Sequence, residues 1–96
     1  MDAKQQAVAD KVRAKLDQTK AEVDRLTAKA KEAKADARLS MQKEIDDLQE
    51  QRRSAEQALK QLQSASADAL EDAKSGAEKA WAAMSQSVEK AKRRFA

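Results

Sequence analysis

The 96-residue chain has no cysteine, histidine, proline or tyrosine, and only one glycine, one tryptophan and one phenylalanine. Without imidazole or thiol there is no histidine base, thiol nucleophile, redox disulfide or ordinary zinc site, since each needs a ring nitrogen or a thiolate. The expectation is therefore a protein that is not an enzyme and carries no cofactor. The lack of proline and near-lack of glycine also remove the residues that most often stop a helix. No run of 18 apolar residues is present, and Met1-Asp2-Ala3-Lys4 lacks the apolar core of a signal peptide, so the chain is expected to be soluble and cytoplasmic.

What fills the chain instead is Ala (22), Lys (13), Glu (8), Leu (7) and Arg (7), together more than half of all residues. These types sit at the favourable end of the helix scale because they lose little or no side-chain entropy on entering a helix. An all-α fold follows. Leu, Ile, Val and Phe number only 13, and the net charge is +3. Burying so few large side chains, with Met41, Met84 and Trp81 added, offsets little of the cost of ordering the chain. Association into a homo-oligomer, or with a protein partner, is expected to complete the core.

Steps of three or four residues connect Val8, Val12, Leu16, Thr19, Val23, Leu26, Ala30, Ala33, Ala37, Met41, Ile45, Leu48, Arg52, Ala55, Leu59, Leu62, Ser66, Leu70, Ala73, Ala77, Trp81, Met84, Val88, Ala91 and Phe95. The mean step is about 3.63 residues, between a heptad and a hendecad, so the apolar stripe runs nearly straight along a helix. Its large members, Val8, Val12, Leu16, Val23, Leu26, Met41, Ile45, Leu48, Leu59, Leu62, Leu70, Trp81, Met84, Val88 and Phe95, are the candidate interface residues. Leu39 falls off the stripe and is expected to make an edge contact. On the outer face Asp10, Arg13, Asp17, Lys20 and Asp24 alternate in sign at helical spacing, each pair contributing about 0.2–0.5 kcal/mol.

Nothing between Ala3 and Leu62 forces a stop. The spacing predicts a long helix over about 3–63, a break at about 64–68 and a shorter helix over about 67–94, hairpinned or kinked at the break. Ser64 or Ser66 would cap the second helix, with Asp68 at its positive end. Ser75-Gly76-Ala77-Glu78 also fits a capping box. The fold expected is a single coiled-coil domain, a helical hairpin that oligomerises; a three-helix bundle with an extra turn near Ser40 is disfavoured because the stripe crosses that region in phase.

Several local patterns have more than one meaning. Lys90-Ala91-Lys92-Arg93-Arg94 complements the negative end of a helix, and nucleic-acid binding is not expected because acids are mixed throughout and only Phe95 is aromatic nearby. Trp81, Met84, Val88 and Phe95, flanked by Lys79, Lys90, Lys92, Arg93 and Arg94, suit protein core or a partner interface first and peripheral contact with an anionic membrane second. The clusters Asp46, Asp47, Glu50 and Asp68, Glu71, Asp72 point in diverging directions on a helix and read as solvated faces, with no metal expected. Arg52 lies on the stripe, either snorkelling with its stem packed or setting register. The Ala28–Ala37 tract buries little per helix and is locally similar to the Ala/Lys/Glu repeats of late-embryogenesis-abundant desiccation proteins.

The residue order Lys34-Ala35-Asp36-Ala37-Arg38, Glu44-Ile45-Asp46-Asp47-Leu48, Ala55 to Leu62, Ser64-Ala65-Ser66-Ala67-Asp68-Ala69-Leu70-Glu71-Asp72-Ala73-Lys74-Ser75-Gly76, Glu78-Lys79-Ala80-Trp81 and Arg94-Phe95 resembles the small bacterial stress-response coiled-coil proteins first noted in cyanobacteria. The chain departs from that pattern at Ala67, where glycine is frequent, at Leu70, where an aromatic is frequent, and at Met41, near a tyrosine position. The resemblance implies induction under strong light, oxidation or salt, and it supplies no catalytic residues. The function expected is a non-enzymatic stress-response protein acting by helix–helix self-association or partner binding. The alternative is an amphipathic-helix protein on a membrane or storage-granule surface, apolipoprotein-like or phasin-like.

Overall fold

Asp2 opens the first helix: its carboxylate accepts from the Gln5 N–H at 2.7 Å, and Gln5 Oε1 accepts from the Asp2 N–H at 3.3 Å, a reciprocal capping box. From this start the computed structural model, which describes all 96 residues, is helical almost throughout. Helix α1 spans Ala3–Glu32, α2 spans Ala35–Ser64 and α3 spans Leu70–Arg94. Gln5 Nε2 donates to the Leu62 carbonyl at 2.6 Å, so α1 and α2 run antiparallel with the start of one beside the end of the other. Lys11 meets Glu78 and Arg25 meets the Phe95 carbonyl, so α1 and α3 run parallel. The result is an up-down-up bundle measuring 51 × 16 × 16 Å.

The expected long helix over 3–63 is broken in two at Ala33 and Lys34, whose ψ angles of 153° and 160° are extended. The turn lies inside the Ala-rich tract, six residues before the Ser40 alternative. The cause is tertiary, since neither residue is a helix breaker. An unbroken helix would leave its stripe in water, whereas folding back sets Val23, Leu26 and Ala30 of α1 against Met41, Ile45 and Leu48 of α2, with Val88 and Ala91 of α3 closing the cluster. Helical stability in proteins comes mostly from packing of the apolar face, and here it outweighs the hydrogen bonds lost at two helix ends. Arg38 limits that loss: its guanidinium donates to the Ala30 and Ala33 carbonyls, each at 3.1 Å, capping the end of α1.

The second connection falls where the sequence predicts, and it reverses the chain. Its boundaries differ by up to three residues: α2 continues through Ser64 and α3 begins at Leu70. The serine caps do not form. Ser64 Oγ donates back to the Lys60 carbonyl at 2.9 Å, and Ser66 instead contributes its carbonyl to a turn, accepting from the Ala69 N–H at 3.1 Å. Ser75-Gly76-Ala77-Glu78 lies inside α3 and starts nothing.

A second cluster fills the other end of the bundle: Ala9 and Val12 of α1, Ala55 and Leu62 of α2, and Ala77 and Met84 of α3. Val8, Leu16, Leu59, Leu70 and Trp81 pack on its flanks, half-buried. Along α1 and α2 the two clusters meet at the polar stripe positions Thr19 and Arg52. Thr19 is fully buried and bonds to the Lys15 carbonyl and towards Met84 Sδ. Arg52 snorkels, its head reaching Gln49 at 3.1 Å and Glu56 at 3.4 Å.

Candidate functional site

All fifteen candidate interface residues are at least half-buried, and they face one another within a single chain. Val12, Val23, Leu26, Met41, Ile45, Leu48, Leu62, Met84 and Val88 are buried, while Val8, Leu16, Leu59, Leu70, Trp81 and Phe95 lie at the margins of the core. The premise that the stripe needs a second molecule to cover it is thereby corrected: three short helices cover it for each other. The periodicity is the same in both cases, so the stripe alone does not separate an internal from an external partner. Only Met1 and Leu39 among the large apolar residues are exposed; Leu39 does not make the expected edge contact, being 65% exposed and outside both core clusters, because it points away from the neighbouring helices.

The topology gathers a basic end. Residues 21–45 and 83–96, which surround the Ala33–Lys34 turn and the end of α3, carry ten Lys and Arg against six Asp and Glu. Several of these cations hold the fold. Arg25 pairs with Glu22 and donates to the Phe95 carbonyl at 2.6 Å, and Lys29 donates to the Ala96 carbonyl oxygen at 2.6 Å. Arg94 and Lys90 reach Glu44 at 2.7 and 3.5 Å. Glu44 is buried, and its second oxygen has no partner. The charges of the last turn of α3 thus act first as a tie to α2, with Lys92 and Arg93 left exposed. Glu44, Glu22 and Gln5 are buried polar residues off the stripe; their side-chain lengths carry no sequence signal for burial, which depends on the neighbouring helices.

Trp81 packs on the second cluster with Lys11 Nζ 3.9 Å and Lys15 Nζ 5.4 Å from its ring centroid. Lys11 also pairs with Glu78 at 3.0 Å. The aromatic stripe of α3 is thus core on one side and roofed by α1 lysines on the other. Near the start of α3, Lys74 lies 2.8 Å from Glu71, and that hydrogen bond raises the lysine above its usual pKa. The acidic clusters at 46–50 and 68–72 do not converge, and nowhere do three carboxylates gather as a cation would require. The larger of two surface grooves, about 340 Å³, lies beside the turn and is lined by Thr27, Ala30, Lys31, Arg38, Gln42 and Ile45. Arg38 is already engaged there in capping α1.

No helix is long and apolar enough to cross a membrane. Comparison with family models, curated proteins and solved structures finds no match to this chain.

Proposed function

We propose that the chain is a non-enzymatic, cytoplasmic stress-response protein of the bacterial coiled-coil kind, working through helix–helix interaction with further copies of itself or with a partner helix. The supporting observation is how the apolar inventory is used. Every large stripe residue packs helix against helix, and five of the fourteen buried apolar residues are alanine (Ala9, Ala30, Ala55, Ala77 and Ala91). A core this thin holds its helices by modest margins, because the alanines contribute little buried area. The faces it uses are the ones an incoming helix would use. The stress-response element rests on the residue order from Lys34 to Phe95.

Light scattering combined with circular dichroism over a concentration series tests the mode of action. The expected result is a mass rising above the 10.6 kDa of one chain while helix content holds; a constant single-chain mass would overturn self-association. The stress element predicts that protein abundance rises on exposure to strong light, oxidant or salt. Unchanged abundance under all three would count against it.

A second reading, peripheral binding to an anionic lipid or granule surface, is favoured by one feature: Phe95 and the exposed Lys92 and Arg93 stand together at the basic end of the bundle. Co-sedimentation with anionic vesicles, weakened when Lys92 and Arg93 are replaced by glutamate, is expected on that reading, and a chain that stays in the supernatant removes it.

A further inference from the structure

The turn between α1 and α2 is built from residues that prefer not to turn. Lys29-Ala30-Lys31-Glu32-Ala33-Lys34-Ala35-Asp36-Ala37 holds no glycine, proline or asparagine, and all but Asp36 are strong helix formers. Only Ala33 and Lys34 leave the helix, and Lys34 offers α2 no side-chain cap. Beyond the Ala33 N–H bond to Ala30, the open carbonyls at the end of α1 rely on one side chain, Arg38. The stripe is nonetheless in phase across the turn, through Leu26, Ala30, Ala33, Ala37 and Met41. The hairpin register is centred on the same point: Gln5 meets Leu62, which places the midpoint of the α1–α2 pairing between Ala33 and Lys34.

We infer that this turn is a hinge that straightens into continuous helix, so that α1 leaves its own bundle and fills the groove between α2 and α3 of a second copy. The inference rests on the self-association reading above and specifies its geometry. With the hinge straight, α1 and α2 form one helix over 3–64, and two such helices run antiparallel about a two-fold axis at the hinge. Because the hairpin midpoint falls at that axis, the pairing register inside one chain becomes the register between two. Because the stripe is in phase, both halves of each long helix present it to the same side. The core contacts of the two clusters are then re-formed between copies, as in domain swapping through a short hinge. What is gained is the set of helical hydrogen bonds missing at the turn, and small residues at Ala30, Ala33 and Ala37 let the two backbones cross closely.

The discriminating variants are Lys34→Pro and Arg38→Ala. Lys34 has φ −67° and ψ 160°, and Ala33 has ψ 153°, which are the angles a proline and its preceding residue adopt; the Lys34 N–H makes no backbone bond. The closed bundle therefore accepts proline, whereas a continuous helix would carry it in its interior. Arg38→Ala removes bonds that only the closed turn makes.

The wild-type chain, refolded from denaturant at several hundred micromolar, is expected to populate a species of twice 10.6 kDa. Lys34→Pro should weaken that dimer by at least about 100-fold, and Arg38→Ala should raise its fraction. A wild-type chain that stays at 10.6 kDa overturns the hinge and self-association together. A Lys34→Pro chain that dimerises as the wild type does overturns the hinge alone and leaves surface-mediated association standing. Should the proline variant fail to fold, Arg38→Ala decides: an unraised dimer fraction counts against the hinge, a raised one for it.

Discussion

Leu39 and Leu48 both lie on α2, yet the structure assigns them opposite roles. Leu48 is fully buried between the three helices, and Leu39 is 65% exposed. Truncating Leu48 to alanine leaves a cavity that a bundle this slender fills only in part, so Leu48→Ala is expected to cost about 2–5 kcal/mol. Leu39→Ala should stay within about 0.5 kcal/mol of the wild type. Urea unfolding followed by circular dichroism reads both, and equal midpoints for the two variants would contradict the assignment. The distinction was legible in the sequence because Leu48 lies on the stripe and Leu39 off it. Glu44 was not legible in the same way. Its burial arises where Lys90 and Arg94, far along the chain on α3, arrive beside it, and no local pattern encodes that arrival.

At the scale of elements, the sequence marks the break before α3 and leaves the break between α1 and α2 unmarked. The break after Ser64 is marked by a serine-rich stretch that competes with helical backbone bonding. The break at Ala33–Lys34 is unmarked, because it is imposed by the packing of Leu26 and Ala30 on Met41 and Ile45 and by Arg38. The one glycine gives a second instance. Read as part of a helix start, Gly76 proves to be internal to α3, and a Cβ placed on it meets no atom within 4 Å. Its backbone has no positive φ to protect. Gly76→Ala should therefore stabilise the bundle by about 0.5–1 kcal/mol, since alanine loses less backbone entropy and opens no clash. The expected signature is a higher urea midpoint at an unchanged slope. A lower midpoint would mean that α3 starts or bends near Gly76.

At the scale of the whole molecule, one stripe is compatible with two shapes, and the choice between them is set by length. An unbroken helix over 3–64 would extend about 93 Å at 1.5 Å per residue, with α3 covering less than half of it and the rest of the stripe in water. Folding at residue 33 matches three helices of 30, 30 and 25 residues, so that each covers the others along nearly their whole length. That match of lengths, more than any propensity at the turn, is why a single chain closes on itself. The two shapes differ in solution scattering. The closed bundle has a Cα radius of gyration of 15.2 Å and a long axis of 51 Å, whereas a rod of about 93 Å alone has a radius of gyration of about 27 Å. Small-angle X-ray scattering at concentrations where light scattering reports a single chain should give the compact values, enlarged slightly by side chains and hydration. A maximum dimension near 90 Å for a single-chain mass would show that α1 and α2 are continuous in the monomer. The same dimension appearing only with a doubled mass is the shape expected when the hinge opens between two copies.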